Sequence, residues 1–356
     1  MEENVDKIKF SEVSAALQDQ SRPFPPRLLR GFSDLSPKDV KEFAEIWKDL
    51  PILRKQSLLE DLEDLAEKDT LVCFDEMAMS VLDDAEAAVR VLAIRLLWEC
   101  EDAHIVPDLI ELMLGDTDEA VRSTAASMLG RFVYLGELDE IPDAAKISVV
   151  KNLLDVVNSE ELASVRLRAL ESLGYSSHAT VPLLLRTAYE SGDSQWVASA
   201  LCAMGRSADD QWSDHVQEKL DSDDTEVLFE AIRAAGELEL TDTLDRLFTI
   251  LEEGYENDIR LAAIWSLSQI GGNEVKNKLR ELAQESESDE ELEWIEKALD
   301  NLELNSSSGD FNFFNFKPES EEYDNNEDDY SEDEDLDDDG FDSLDDYDED
   351  DEDDEE

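Results

Sequence analysis

Seven segments of this chain repeat one line. It reads as an acid, an apolar anchor three residues later, often Arg next to the anchor, Ala four beyond the anchor, and Leu or a substitute four beyond that, often with Gly next. "EAAVRVLAIRLL" supplies Glu86, Val89, Arg90, Ala93 and Leu97, and "DEAVRSTAASMLG" supplies Asp118, Val121, Arg122, Ala125, Leu129 and Gly130. "ASVRLRALESLG" gives Val165, Arg166, Ala169, Leu173 and Gly174; "DSQWVASALCAMG" gives Asp193, Trp196, Ala200, Met204 and Gly205. Next come "DTEVLFEAIRAAG" with Asp224, Val227, Ala231, Ala235 and Gly236, and "ENDIRLAAIWSL" with Glu256, Ile259, Arg260, Ala263 and Leu267. A worn last copy, "EELEWIEKALDNL", keeps Glu291, Trp294, Ala298 and Leu302. The anchors recur at intervals of 31 or 32 residues, except for one of 44 and a final one of 35.

Each mark has a physical reason. Steps of four put anchor, alanine and leucine on one helical face. Alanine has almost no side chain, so a second helix can approach there. An acid three before the anchor suits a helix N-terminus, by capping or by its charge against the helix dipole. The glycine is expected to end the helix in the left-handed conformation. Ahead of each copy lies another amphipathic stretch, as in "IVPDLIELMLGD", "TVPLLLRTAYESGD" and "TLDRLFTILEEG", with Pro107 and Pro182 near helix starts. Two antiparallel helices in about 31 residues cannot bury their apolar faces alone, and stacking on further copies supplies the core. The expected fold is all-α: an α-solenoid of stacked antiparallel helix pairs followed by a disordered acidic tail.

Over residues 70–304 these marks resemble HEAT repeats, in the short-period form also found in phycobilin lyases. Arg90, Arg122, Arg166 and Arg260 match the family's arginine. The resemblance implies a structural part for them in a buried polar ladder between repeats. Val197, Leu228 and Ile295 stand where that arginine would be, so the ladder is expected to break there.

Residues 33–69 read as two helices forming an N-terminal cap, starting at Ser36–Pro37 and separated at Pro51. Residues 1–32 are expected to be an extended arm, because "DQSRPFPPRLLRGF" is proline-rich. It either packs on the first helices or serves as a basic docking peptide or an internal partner for the acidic tail. The 44-residue interval leaves extra residues around "RFVYLGELDEIPDAAK". Either they form a loop exposing Phe132, Tyr134 and Leu135 to a partner, or a longer helix buries them.

The charge excludes several function classes. The chain holds 94 acidic and 30 basic residues, net −64, and residues 305–356 contain 27 acids against Lys317 alone. Such a surface repels phosphate backbones and anionic lipid, so no direct nucleic-acid or membrane binding is expected. It attracts basic proteins. Cys73, Cys100 and Cys202 form no CxxC and read as small apolar residues in helix interfaces. The N-terminus "MEENVDKIKF" has no signal-peptide pattern, and a cytoplasmic location is expected. His104, His178 and His215 are each without a following Glu, so the His-Glu iron ligands of the HEAT-like deoxyhypusine hydroxylases have no counterpart here. No zinc, phosphate-loop, dinucleotide or nucleophile-elbow motif occurs, and no cofactor is expected.

From Asn305 the period stops and "NSSSGD" reads as a flexible exit. Phe311, Phe313, Phe314 and Phe316 then cluster in "FNFFNF", and Phe341, Leu344 and Tyr347 sit three apart among acids. The first cluster is expected to cap the last repeat beside Trp294, to anchor a partner, or to make no defined contact. The second either holds a basic partner or is incidental to a solubilising tail. The expected function is a non-enzymatic, monomeric scaffold for a protein with a basic surface. The alternatives are a lyase-like enzyme with a small-molecule groove, and a nucleic-acid mimic or chaperone for a basic protein.

Overall fold

The computed structural model describes residues 8–286 and 288–310, and every regular element among them is helical. The candidates Phe311, Phe313, Phe314, Phe316, Phe341, Leu344 and Tyr347 lie outside the described residues.

Where an extended arm was expected, the chain forms α1 (Phe10–Gln18) and a 3₁₀ segment (Pro26–Phe32). Both pack on the cap, made of α2 (Pro37–Trp47) and α3 (Ile52–Lys68). The cause is apolar content: Val13, Leu17, Phe24, Leu28, Leu29 and Phe32 are all buried. Phe24, Phe32, Phe43 and Trp47 continue ring against ring at centroid distances of 5.5, 5.8 and 5.1 Å. Arg54 clamps this segment by donating to the Arg22 and Ala16 carbonyls at 2.8 and 3.1 Å. Ser36 caps α2 through the Asp39 N–H, and Pro51 precedes α3, as predicted.

Seven helix pairs follow. They are α4 (Asp75–Met79) with α5 (Ala87–Leu96), α6 (Val106–Gly115) with α7 (Glu119–Glu137), and α8 (Asp143–Val157) with α9 (Ala163–Leu173). Next are α10 (Val181–Tyr189) with α11 (Ser194–Arg206) and α12 (Ser213–Lys219) with α13 (Thr225–Glu237). The last are α14 (Leu244–Glu252) with α15 (Asn257–Ile270) and α16 (Asn273–Glu285) with α17 (Asp289–Asp310). Each odd-numbered helix carries one copy of the sequence line and packs on its even-numbered partner. The odd-numbered helices also pack on one another in an unbroken row from α3 to α17. The result is the predicted α-solenoid.

Small residues set the closeness of that row. Ala93, Ala125, Ala169, Ala200, Ala231 and Ala263 are completely buried. The motif glycines do not end helices in the left-handed conformation, contrary to expectation. Gly130, Gly205 and Gly236 lie inside helices, and Gly174 keeps right-handed geometry at φ −53°. Their purpose is contact. A Cβ on Gly174 would stand 2.6 Å from the Ala203 carbonyl oxygen, and one on Gly236 would stand 2.7 Å from the Ser266 Cα. Neighbouring backbones meet there, and only hydrogen fits.

The acids at the helix starts divide by length. Asp118, Asp193 and Asp224 each accept the second and third backbone N–H groups of their helices. Glu86 and Glu256, one methylene longer, make no such bond. The extra residues of the 44-residue interval lengthen α7 and α8 to 19 and 15 residues rather than forming a loop. Phe132 and Leu135 are therefore buried in the core. At the C-terminal end α17 continues to Asp310, past the boundary expected at residue 304.

Candidate functional site

The four motif arginines occupy the same place in their repeats, three in succession on α5, α7 and α9 and the fourth on α15. Arg90 grips Asp116 bidentately, Nε to Oδ2 and Nη2 to Oδ1 both at 2.7 Å, while Nη1 donates to the Asp84 carbonyl at 2.7 Å. Arg122 takes the next step, donating to the Asp116 carbonyl at 2.9 Å and the Glu161 carboxylate at 3.1 Å. Arg166 donates to the Val157 carbonyl at 2.9 Å and places its guanidinium 4.9 Å from the Trp196 ring centre. Arg260 bonds the Leu251 carbonyl and the buried Glu291 carboxylate. Each arginine thus ties a carbonyl before its own helix to an acid or ring of the following repeat. The series begins in the cap, where Lys55 Nζ and Trp47 Nε1 both donate to Asp84 Oδ2, at 2.6 and 2.7 Å.

The consequence is electrostatic. Burial raises the Asp116 carboxyl, but hydrogen bonds from Arg90 and from the Asp118 N–H outweigh it and hold the group below the usual carboxylate range. Asp84 behaves likewise through Lys55, the Glu86 N–H and Trp47. The arginines are committed to these contacts. At the three substituted repeats, Val197, Leu228 and Ile295 are buried apolar residues. In the last copy Ile295 fills the core, and Trp294 beside it is only half-buried.

That displacement of Trp294 exposes the face of interest. A groove of about 780 Å³ crosses α13, α15 and α17, lined by Phe229, Trp265, Trp294, Leu261 and Ala262. Glu226, Glu256 and Asp258 stand at its edge. Arg233 is also present but lies 3.4 Å from both Glu230 and Glu237, so its charge is answered locally. Burial pushes the Glu230 and Glu237 carboxyls above the usual range despite that arginine. The three edge carboxylates make no ion pair or side-chain hydrogen bond among the described residues. The groove therefore combines flat apolar rings with unanswered negative charge. It suits a cationic or amphipathic guest.

A second, largely polar hollow of about 280 Å³ lies on α7, α9, α11 and α13, lined by serine and threonine hydroxyls and Gln195 together with Leu167, Arg168 and Glu226. Beneath it Glu171, 5% exposed, accepts from Ser199 Oγ at 2.6 Å and from Arg168 at 2.7 Å.

The insertion candidates part company. Phe132 is fully buried and offers nothing to a partner, because the longer α7 turns it inward. Tyr134 is 44% exposed and packs edge-on to Tyr175 at 5.6 Å. Cys100 and Cys202 are buried, and burial pushes the Cys100 thiol up to about 12; Cys73 is exposed instead of sitting in a helix interface. No cluster of three metal-ligating side chains occurs among the described residues. No helix among them is long and apolar enough to cross a membrane.

Phe229 and Trp265 were not singled out in the sequence, although a signal exists. Both sit off the anchor–alanine–leucine stripe, on a second face of their helices. A large aromatic residue outside the core stripe in consecutive repeats is a readable mark.

Among solved structures, the complex of two phycocyanin lyase chains from a Nostoc species is 20% identical, over 64% of this chain and 94% of that one, at a TM-score of 0.42. Human deoxyhypusine hydroxylase in complex with glycerol is 18% identical, over 73% and 95%, at 0.33. An engineered protein is 19% identical, over 56% and 96%, at 0.34. Likenesses of this degree carry no activity across. No curated protein matches the sequence. The family model for HEAT repeats matches residues 76–147 and 213–300. The same helix pairing continues between those two matched stretches.

Proposed function

We propose that the chain is a non-catalytic scaffold that holds a protein partner with a basic surface on the face of its odd-numbered helices. The observation that carries the reading is the groove at Phe229, Trp265 and Trp294, with Glu226, Glu256 and Asp258 beside it and without cations of their own. Half-buried aromatic rings supply apolar area at small entropic cost. Unpaired carboxylates favour a partner bringing arginine or lysine, and penalise one bringing phosphate. The rest of the chain adds to the same preference, with 94 acids against 30 bases.

The test uses the immobilised full chain and its Glu226→Gln, Glu256→Gln, Asp258→Asn triple variant, loaded with cell extract across a salt series. The proposal expects retained proteins of high isoelectric point, lost at high salt and depleted on the triple variant. Retention of acidic proteins, or an identical set on both forms, contradicts it. A coloured or metal-loaded preparation of the purified chain favours the enzymatic alternative.

A further inference from the structure

The odd-numbered face is not chemically uniform, and its two halves are continuous. Glu226 lines both the aromatic groove on α13–α17 and the hydroxyl-lined hollow on α7–α13. One trough therefore runs across six odd-numbered helices, polar at one end and aromatic at the other.

The polar end is rich in hydrogen-bonding groups with capacity to spare. Ser123 and Thr124 each donate to the Ala120 carbonyl, at 3.1 and 2.7 Å, which leaves their oxygen lone pairs able to accept. The side chains of Ser127 and Gln195 make no hydrogen bond among the described residues. Arg168 also lines this end, but its guanidinium is paired with Glu171 at 2.7 Å, so apart from Glu226 the groups left for a guest are neutral hydroxyls and an amide. They match the group that every residue of an unpaired peptide strand presents, its N–H and C=O. At the aromatic end the rings already face cations from the chain itself: Arg233 stands 6.0 Å from the Phe229 ring centre and Lys297 stands 5.6 Å from that of Trp294. Trp265 carries no such cation among the described residues, and Glu226, Glu256 and Asp258 are beside it.

We infer that the trough holds its partner as an extended chain, the hydroxyl-lined end bonding the peptide main chain and the aromatic end taking arginine or lysine side chains. The inference rests on the reading that this face binds protein, and it names the form of the partner. An extended segment presents main-chain groups to the polar end along its length, whereas a folded basic surface has spent most of its own on secondary structure. Guanidinium groups stack on indole and bond carboxylates in one geometry. Adjacent packed helices lie about 9 Å apart, so five steps give a trough of about 45 Å. An extended chain of about 13 residues spans that length.

The test titrates the full-length protein with octa-arginine, with its backbone-N-methylated counterpart and with spermine, following tryptophan emission. Residues 305–356 contain no tryptophan, so the emission reports from indoles of the helical body. Octa-arginine is expected to alter the emission, and the Glu226→Gln, Glu256→Gln, Asp258→Asn variant to weaken its binding about tenfold. N-methylation, which removes main-chain donors, is expected to weaken it about threefold or more, and Ser127→Ala with Gln195→Ala to narrow that difference. Unchanged melting temperatures of the variants establish that these losses are not unfolding. The inference is overturned if the triple variant binds within twofold of the parent, or if the N-methylated peptide or spermine binds as well as octa-arginine. Should a basic folded protein still depend on the three carboxylates while the peptide effects are absent, the extended form is wrong and the scaffold reading stands.

Discussion

Position for position, Arg90 and Leu228 occupy the same place in their repeats, one residue after the anchor, and the chain uses them in opposite ways. Arg90 carries charge into the interior because a carboxylate and a carbonyl wait for it, Asp116 and Asp84, each within 2.7 Å. Leu228 is 1% exposed and needs no partner. The arginine line spans the first three repeats and reappears at Arg260, while the repeats around α11 and α13 run without it. Where the ladder is absent the odd-numbered helices still pack as a continuous row, because the small residues Gly174, Gly205 and Gly236 let the backbones meet. Close packing is the general device, and the ladder is a local addition that fixes the turn between helices.

The largest expected effect comes from forcing one solution onto the other site. Leu228→Arg buries a guanidinium with no prepared carboxylate, at about 4 kcal/mol of stability. Denaturant unfolding measures it, and a loss near zero would mean that the position accepts charge without a ladder. Arg90→Ala should cost about 3 kcal/mol at neutral pH, because Asp116 is left buried and charged. The sign with pH follows from Asp116. Its folded carboxyl titrates below the ordinary range, so its stabilisation is present above that range and is lost as pH falls through the depressed value. The penalty of Arg90→Ala should therefore shrink below about pH 4. A pH-independent penalty would remove the ion pair from the explanation.

A smaller effect probes the device both regions share. Gly174→Ala brings a Cβ within 2.7 Å of the Ala203 Cα, and rigid backbone cannot yield as a side chain would. About 2 kcal/mol is expected. Little change in melting temperature would show that the row can slide. The smallest effect separates the two kinds of helix start. Asp224→Ala removes a cap and should cost about 1 kcal/mol, while Glu256→Ala should be close to neutral because Glu256 makes no capping bond.

The repeated line made the architecture readable, since anchor, alanine and leucine recur at helical spacing and their burial follows from it. Even the breaks at Val197, Leu228 and Ile295 were visible. The ladder's acceptors were harder to see. Asp116, Glu161 and Glu291 lie between 26 and 39 residues beyond their arginines and look like any other acid in a chain with so many. The glycines misled because a Gly after an apolar run has two physical uses, and local sequence does not say whether a neighbouring backbone is present. Phe132 was ambiguous for a similar reason: a longer helix and a loop accommodate the same insertion. Trp294 stands at the anchor position of its repeat, but Ile295 occupies the core, and that one-residue change leaves the indole lining the groove.

Hydrogen–deuterium exchange of the full-length chain, with and without saturating octa-arginine, tests the binding face most directly. The account predicts slowed exchange in peptides from α13, α15 and α17 that carry Phe229, Trp265 and Trp294, with α12, α14 and α16 unchanged. Protection confined to residues 305–356, or to the even-numbered helices, would contradict it.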